Sequence, residues 1–264
     1  MGILGSVPDT DWNPPIESVL PDECASIALC ALETSRLPPH EPSGDLRAID
    51  AQIDKGHELN PVVLSHEVAT YFLQGAGESV HSIGRLTDQH PPVTSLSALS
   101  RVACEYAAYA WWLSDPQEDP AIRASKVIGI SYASVMDKGT DPRYTTMRKK
   151  IEGWRSTAQK HKASKPDPAK ILKEMLDSAY ADDYTDQSRI VHPDLITMID
   201  VMTAQNEGKP WNRQRAWNHS MCAMYATLIA TERVATLRDA NPDHIDQIAQ
   251  IKQRFYEVAG LTDT

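Results

Sequence analysis

The chain has 264 residues, enough to bury a large apolar core without help from disulfides or metal. Its 36 Asp and Glu against 26 Lys and Arg leave a formal net charge of −10, which excludes a broad electropositive surface for nucleic acid and leaves room only for a local basic patch. With only 2 Phe, the apolar weight falls on Ala, Leu, Ile, Val and Met, a set that suits helix packing better than sheet packing.

Residues 1–20, rich in Pro, Gly and Asp, read as an irregular N-terminal arm, and 21–264 as one helical domain. Helical periodicity predicts helices over 22–35, 45–57, 61–87, 94–114, 118–138, 142–162, 168–191, 193–204, 210–238 and 241–258, with prolines at the connections and first turns. No alternating strand pattern competes with them. The expectation is an all-α protein: a single multi-helix bundle with an irregular N-terminal arm. The N-terminal MGILGSVPDTDWNPP has neither the charged nor the apolar part of a signal peptide, and no run approaches the roughly 18 apolar residues of a membrane span. A cytoplasmic protein without membrane contact is expected. Cys24, Cys30, Cys104 and Cys222 have no C-x-x-C spacing and read as reduced core residues.

In the 61–87 segment, the small Gly75, Ala76 and Ser79 join Val68, Phe72, Ile83 and Leu86 on one side, where a neighbouring helix should pack closely. The other side carries Glu67, Gln74, Glu78, His81 and Arg85, as either a solvated face or one wall of a cleft. His66-Glu67 begins like a zinc-protease helix, but position 70 is Thr where a second imidazole is needed.

The 94–114 segment contains ALSRVACEYAAYAWWL, which sets one Arg and one Glu in an otherwise apolar helix. Arg101 and Glu105 are neighbours on one face, while Leu99, Val102, Tyr106, Ala110 and Leu113 form the opposite stripe. A helix buried on both sides must pair such charges, as an internal clamp or as the wall of a polar site.

From Arg143 to Lys165 the chain is locally basic, so any RNA contact would run through Arg143, Arg148, Lys149, Lys150 and Arg155. Asp182, Asp183 and Asp186 spell D-D-x-x-D, which resembles the magnesium motif of prenyl-diphosphate enzymes; the alternative is a solvated acidic turn. The second metal motif of those enzymes is missing downstream, so no metal ligand and no cofactor is assigned. Tyr184, Ser188 and His192 recur every four residues, with His192 just before Pro193 at a helix end. There the helix dipole favours the protonated ring, making His192 a candidate acid or base, or else one part of a hydrogen-bonded helix corner. Four Arg-to-His spacings match HEPN ribonucleases: Arg85 to His90, Arg155 to His161, Arg213 to His219 and Arg238 to His244. The best placed is Arg213 to His219, near the start of a long helix.

Four elements, His81 to Leu86, Arg101 and Glu105 running into Trp112-Leu113-Ser114-Asp115-Pro116, Arg123 in the next helix, and Tyr184, Ser188 and His192, together resemble a family of uncharacterised, mostly actinobacterial and phage helical proteins. Some of these are similar to abortive-infection HEPN proteins. The resemblance implies a shared site in which His81, Arg101, Glu105, Ser188 and His192 converge between helices. In it Arg101 would hold an anionic group such as phosphate, Glu105 would orient it and His192 would move a proton. Three functional readings stand: a HEPN-like ribonuclease of a toxin or phage-defence system, a noncatalytic helical protein-interaction module, and a magnesium-dependent prenyl-diphosphate enzyme. HEPN enzymes usually assemble their site across a homodimer, which would put the 210–238 helix at a two-fold interface if Arg213 and His219 act.

Overall fold

The computed structural model describes residues 15–87, 93–139, 141–157, 166–176, 178–191, 199, 201–203 and 211–260. They form α1 (Ile16–Ser35), α2 (Leu46–Asp54), α3 (Pro61–Thr87), α4 (Val93–Leu113), α5 (Pro120–Met136), α6 (Thr145–Thr157), α7 (Pro168–Met175), α8 (Ser178–Val191), α9 (Trp211–Leu237) and α10 (Pro242–Ala259), with a 3-10 turn at Pro142–Tyr144. The fold is all-α, with no strand among the described residues. No helix among them is long and apolar enough to cross a membrane.

A repeated local device starts these helices. Asp119-Pro120, Asp167-Pro168 and Asn241-Pro242 each place a side-chain oxygen on a backbone N–H of the first turn, while the proline occupies a position whose N–H has no partner to lose. Asp45 caps α2 in the same way without a proline. At the start of α3 the cap comes from another helix: the Asp50 carboxylate on α2 accepts from the N–H groups of Val62 and Val63 at 2.9 and 3.1 Å.

Four helices make the core. α1 packs on α3, α3 on α4, α4 on α9, and α9 closes back on α1. Around this ring α2 and α5 lie on α3, α6 on α5, α7 and α8 on α4, and α10 on α9 and α1. Small residues set the closest approaches. A Cβ on Gly75 would stand 2.4 Å from the Tyr106 ring on α4, and one on Gly84 would stand 2.7 Å from Cys24 Cβ on α1. The α4 neighbour follows from the Gly75 pattern; the α1 approach at Gly77 and Gly84 lies on a second side of α3 that the pattern did not single out.

Several boundaries differ from the sequence reading. α1 begins at Ile16, inside the expected arm, because Ile16, Leu20, Cys24 and Ile27 form one buried stripe that carries the helix through Pro21. The predicted 168–191 helix is two helices, since Leu176 takes an extended backbone at the end of α7. Predicted helix 193–204 falls mostly outside the described residues. Val102, placed on a buried stripe, is 41% exposed, because the core side of α4 runs through Ala103, Ala107 and Ala110. The polar side of α3 is a solvated face: Glu67, Gln74, Glu78, His81 and Arg85 are all exposed.

Candidate functional site

The out-of-place polar residues gather where α4, α8 and α9 meet. Ser97, Arg101 and Glu105 follow one another at four-residue steps along α4 and so share a stripe. Arg101 donates from Nε to Glu105 Oε1 at 2.9 Å, and Tyr184 on α8 donates its hydroxyl to the same oxygen at 3.0 Å. The Arg101 guanidinium lies 6.0 Å from the Tyr184 ring centre. Arg101 and Glu105 are 21% and 32% exposed, so they form the rim of the seam and not a sealed clamp. Burial and the Glu105 carboxylate push the Tyr184 phenol far above its ordinary range, which keeps it a donor.

Deeper in the seam, His219 on α9 joins all three helices. Its Nδ1 lies 2.8 Å from Ser97 Oγ and its Nε2 lies 3.1 Å from Asp186 Oδ2. Ser97 Oγ also donates to the Val93 carbonyl at 2.7 Å, so one hydroxyl ties α4 to itself and to His219. Arg215 adds a cation, Nε to Asp186 Oδ2 at 3.1 Å. Burial alone would raise Asp186, but His219 and Arg215 outweigh it and hold the carboxyl below its ordinary value. One turn back along α8, Asp183 has no such cation among the described residues. Burial, then the charges of Asp186 and Asp182, push it up to about 7, and its Oδ2 has no hydrogen-bond partner among the described residues.

Of the residues expected to share a site, Arg101 and Glu105 are together, and Ser188 sits half-buried one turn beyond their partner Tyr184. His192 lies outside the described residues. His81 is exposed on α3, and among the described residues no hydrogen bond or ion pair joins it to Arg101 or Glu105. Within the chain, the two Arg-to-His spacings that fall on described residues do not bring their members together. Arg213 donates to both carboxylate oxygens of Glu17 at 2.6 and 2.7 Å, while His219 faces Ser97 and Asp186. Arg238 bonds the Leu37 and His66 carbonyls, whereas His244 meets Thr34. His90 and His161 fall outside the described residues. In D-D-x-x-D, Asp182 is exposed and Asp186 is held by Arg215 and His219. Among the described residues no group of three or more His, Cys, Asp or Glu is placed to hold a metal.

A second polar cluster is closed. Arg123 on α5 is 0% exposed, the largest fully buried side chain in the molecule's described part, and donates from Nη2 to Glu41 Oε2 and from Nη1 to the Asp115 and Glu118 carbonyls. His66 Nε2 reaches the same Glu41 oxygen at 3.3 Å, and Ser43 donates to Oε1 at 3.0 Å. Burial pulls the Glu41 carboxyl up, yet the bonds from His66, Arg123 and Ser43 and the Arg123 charge win and hold it at about 2. This cluster ties the α1–α2 loop to α3 and α5. Its signal in the sequence is the lone Arg123 in an apolar helix, the same anomaly that marks Arg101.

The basic stretch is partly neutralised by its own surroundings. Arg143 pairs with Asp141 and Lys150 with Glu58, Arg148 bonds the carbonyls of Val135 and Gly139 at the end of α5, and Arg155 stacks 4.2 Å above the Tyr132 ring. α6 docks through buried Ile151 and Trp154. Comparison with protein-family models, with curated proteins and with solved structures finds no match to this chain.

Proposed function

We propose that the protein works as a noncatalytic helical protein-interaction module. One observation carries this reading: the histidine best placed for chemistry, His219, is 1% exposed and has both ring nitrogens bonded within the bundle, so it has no free nitrogen to offer a substrate. Apolar side chains, by contrast, face solvent. Tyr71 on α3 is 68% exposed beside Phe72, which packs on the Tyr106 and Tyr109 rings, and Val102, one turn before Tyr106 on α4, is 41% exposed. The partner that fits two exposed apolar side chains, Tyr71 set among the exposed Glu67 and Gln74, is an apolar helix face with a polar rim, and a second copy of this chain is the first to test.

A HEPN-like ribonuclease is the second reading, favoured by one feature: Arg215 and His219, one turn apart on α9, both reach Asp186 at 3.1 Å. Two measurements separate the readings. Purified protein is incubated with structured and single-stranded RNA, with and without EDTA, beside His219→Ala; sedimentation velocity is then run over a concentration range for the wild type and for Tyr71→Asp with Val102→Asp. Intact RNA with self-association weakened in the double variant is the expected result. RNA cut by the wild type and spared by His219→Ala would transfer the assignment to the ribonuclease.

A further inference from the structure

Of the four cysteines, two are in contact. Cys104 Sγ on α4 lies 3.6 Å from Cys222 Sγ on α9, and both are reduced, fully buried thiols. The contact sits where α4 packs on α9, and each helix carries fully buried alanines near its cysteine, Ala103 and Ala107 on α4 and Ala223 and Ala226 on α9. Cys24 points elsewhere, donating to Met224 Sδ at 3.5 Å, and Cys30 has no cysteine beside it among the described residues. We propose that Cys104 and Cys222 are a disulfide site, closed by exchange with a small oxidised disulfide of the glutathione type, and that closing it locks α4 to α9.

The chemistry balances in two exchanges. One cysteine thiolate attacks the small disulfide, whose S–S bond breaks and releases one glutathione thiolate, leaving a mixed disulfide on the protein. The second cysteine thiolate attacks the protein sulfur of that mixed disulfide and releases the second glutathione. Two electrons pass from the cysteine pair to the reagent, and the two cysteine protons end on the two released thiols. Hydrogen bonding with Cys104 and burial hold the Cys222 thiol well above its ordinary value, so the packed core is slow to react. The mixed disulfide has no room between α4 and α9 either. Exchange therefore belongs to a state in which these helices are apart, during folding or opening, and packing then brings the two sulfurs together.

Closure reaches the polar seam directly, because His219 is one turn before Cys222 and bonds Ser97 two turns before Cys104. The oxidised protein keeps the Ser97–His219 crossing shut.

The full chain is refolded from denaturant in a mixture of reduced and oxidised glutathione and in reduced glutathione alone, then blocked, weighed intact and mapped without reduction. The expected product has lost two hydrogens, contains a peptide joining Cys104 to Cys222, and melts higher than the reduced protein by about 5 °C or more, as closing so long a loop requires. Cys24→Ala forms the same cross-link and Cys104→Ala does not. The wild-type map decides the matter even if Cys104→Ala fails to fold. Absence of a cross-link, a cross-link to Cys24 or Cys30, stable glutathione adducts, or an oxidised form that melts below the reduced one would each overturn the proposal.

Discussion

Arg123 on α5 and Glu41 in the α1–α2 loop, 82 residues apart in sequence, form an ion pair from which solvent is excluded. The Arg101–Glu105 pair has the same chemistry one helix turn apart at a rim that water reaches. The two environments give different costs for losing the carboxylate. Glu41→Ala leaves a fully buried guanidinium without its counter-charge and should destabilise by about 3–5 kcal/mol. Glu105→Ala leaves Arg101 partly hydrated and should cost about 1 kcal/mol, below what a sealed clamp would give. Urea unfolding of both variants beside the wild type measures the difference, and equal losses would contradict it.

Acid should act through the same loop. The Glu41 carboxyl sits at about 2 in the fold against an ordinary 4.5, so its contribution is complete above 4.5 and is lost as pH falls toward 2. His66 works in the same direction: burial lowers its pKa from 6.5, so protonation below that range also favours the unfolded chain. Glu41 alone accounts for roughly 3 kcal/mol over its window. The urea midpoint of the wild type should fall steeply there, and that of Glu41→Gln, already lower, should fall less. Parallel slopes would remove Glu41 from the acid transition.

The helix class and most helix starts were legible because periodicity and proline position are local properties. The polar anomalies were legible as residues that needed partners: Arg101 did find Glu105, a neighbour on its own helix. The partners from distant segments were not legible. Nothing local links Glu41 to Arg123, or Ser97 to His219 across 122 positions, since each pairing is set by how whole helices cross. The Arg213 to His219 spacing did not show which neighbours the two side chains meet, for a related reason. Six positions on a helix turn the second side chain well away from the first, and here the two serve different interfaces.

Asp183 offers a test with the opposite sign. Its pKa rises from 3.8 to about 7, so it favours the fold fully below 3.8 and loses that contribution as pH rises through about 7. Asp183→Asn removes the charge while keeping the shape. Discounted for partial exposure, the variant should be more stable than the wild type by about 1–2 kcal/mol on the alkaline side, and the two should converge in acid. Thermal melts across the range check this, and a wild type that outlasts the variant above pH 7 would show that the Asp183 carboxylate has a cation partner.

The last prediction concerns the core crossing of α1 and α3. A Cβ at Gly84 would meet Cys24 Cβ at 2.7 Å and the Pro21 carbonyl oxygen at 3.3 Å, and neither can swing aside, because one is the root of a side chain and the other is backbone. Gly84→Ala should therefore destabilise by about 1–3 kcal/mol even though alanine favours a helix. At Gly153 on α6 the nearest atoms are the His57 ring at 3.3 Å, the movable end of a half-buried side chain. Gly153→Ala should be neutral or stabilising by up to about 1 kcal/mol. If both variants shift the urea midpoint alike, the close α1–α3 approach is wrong.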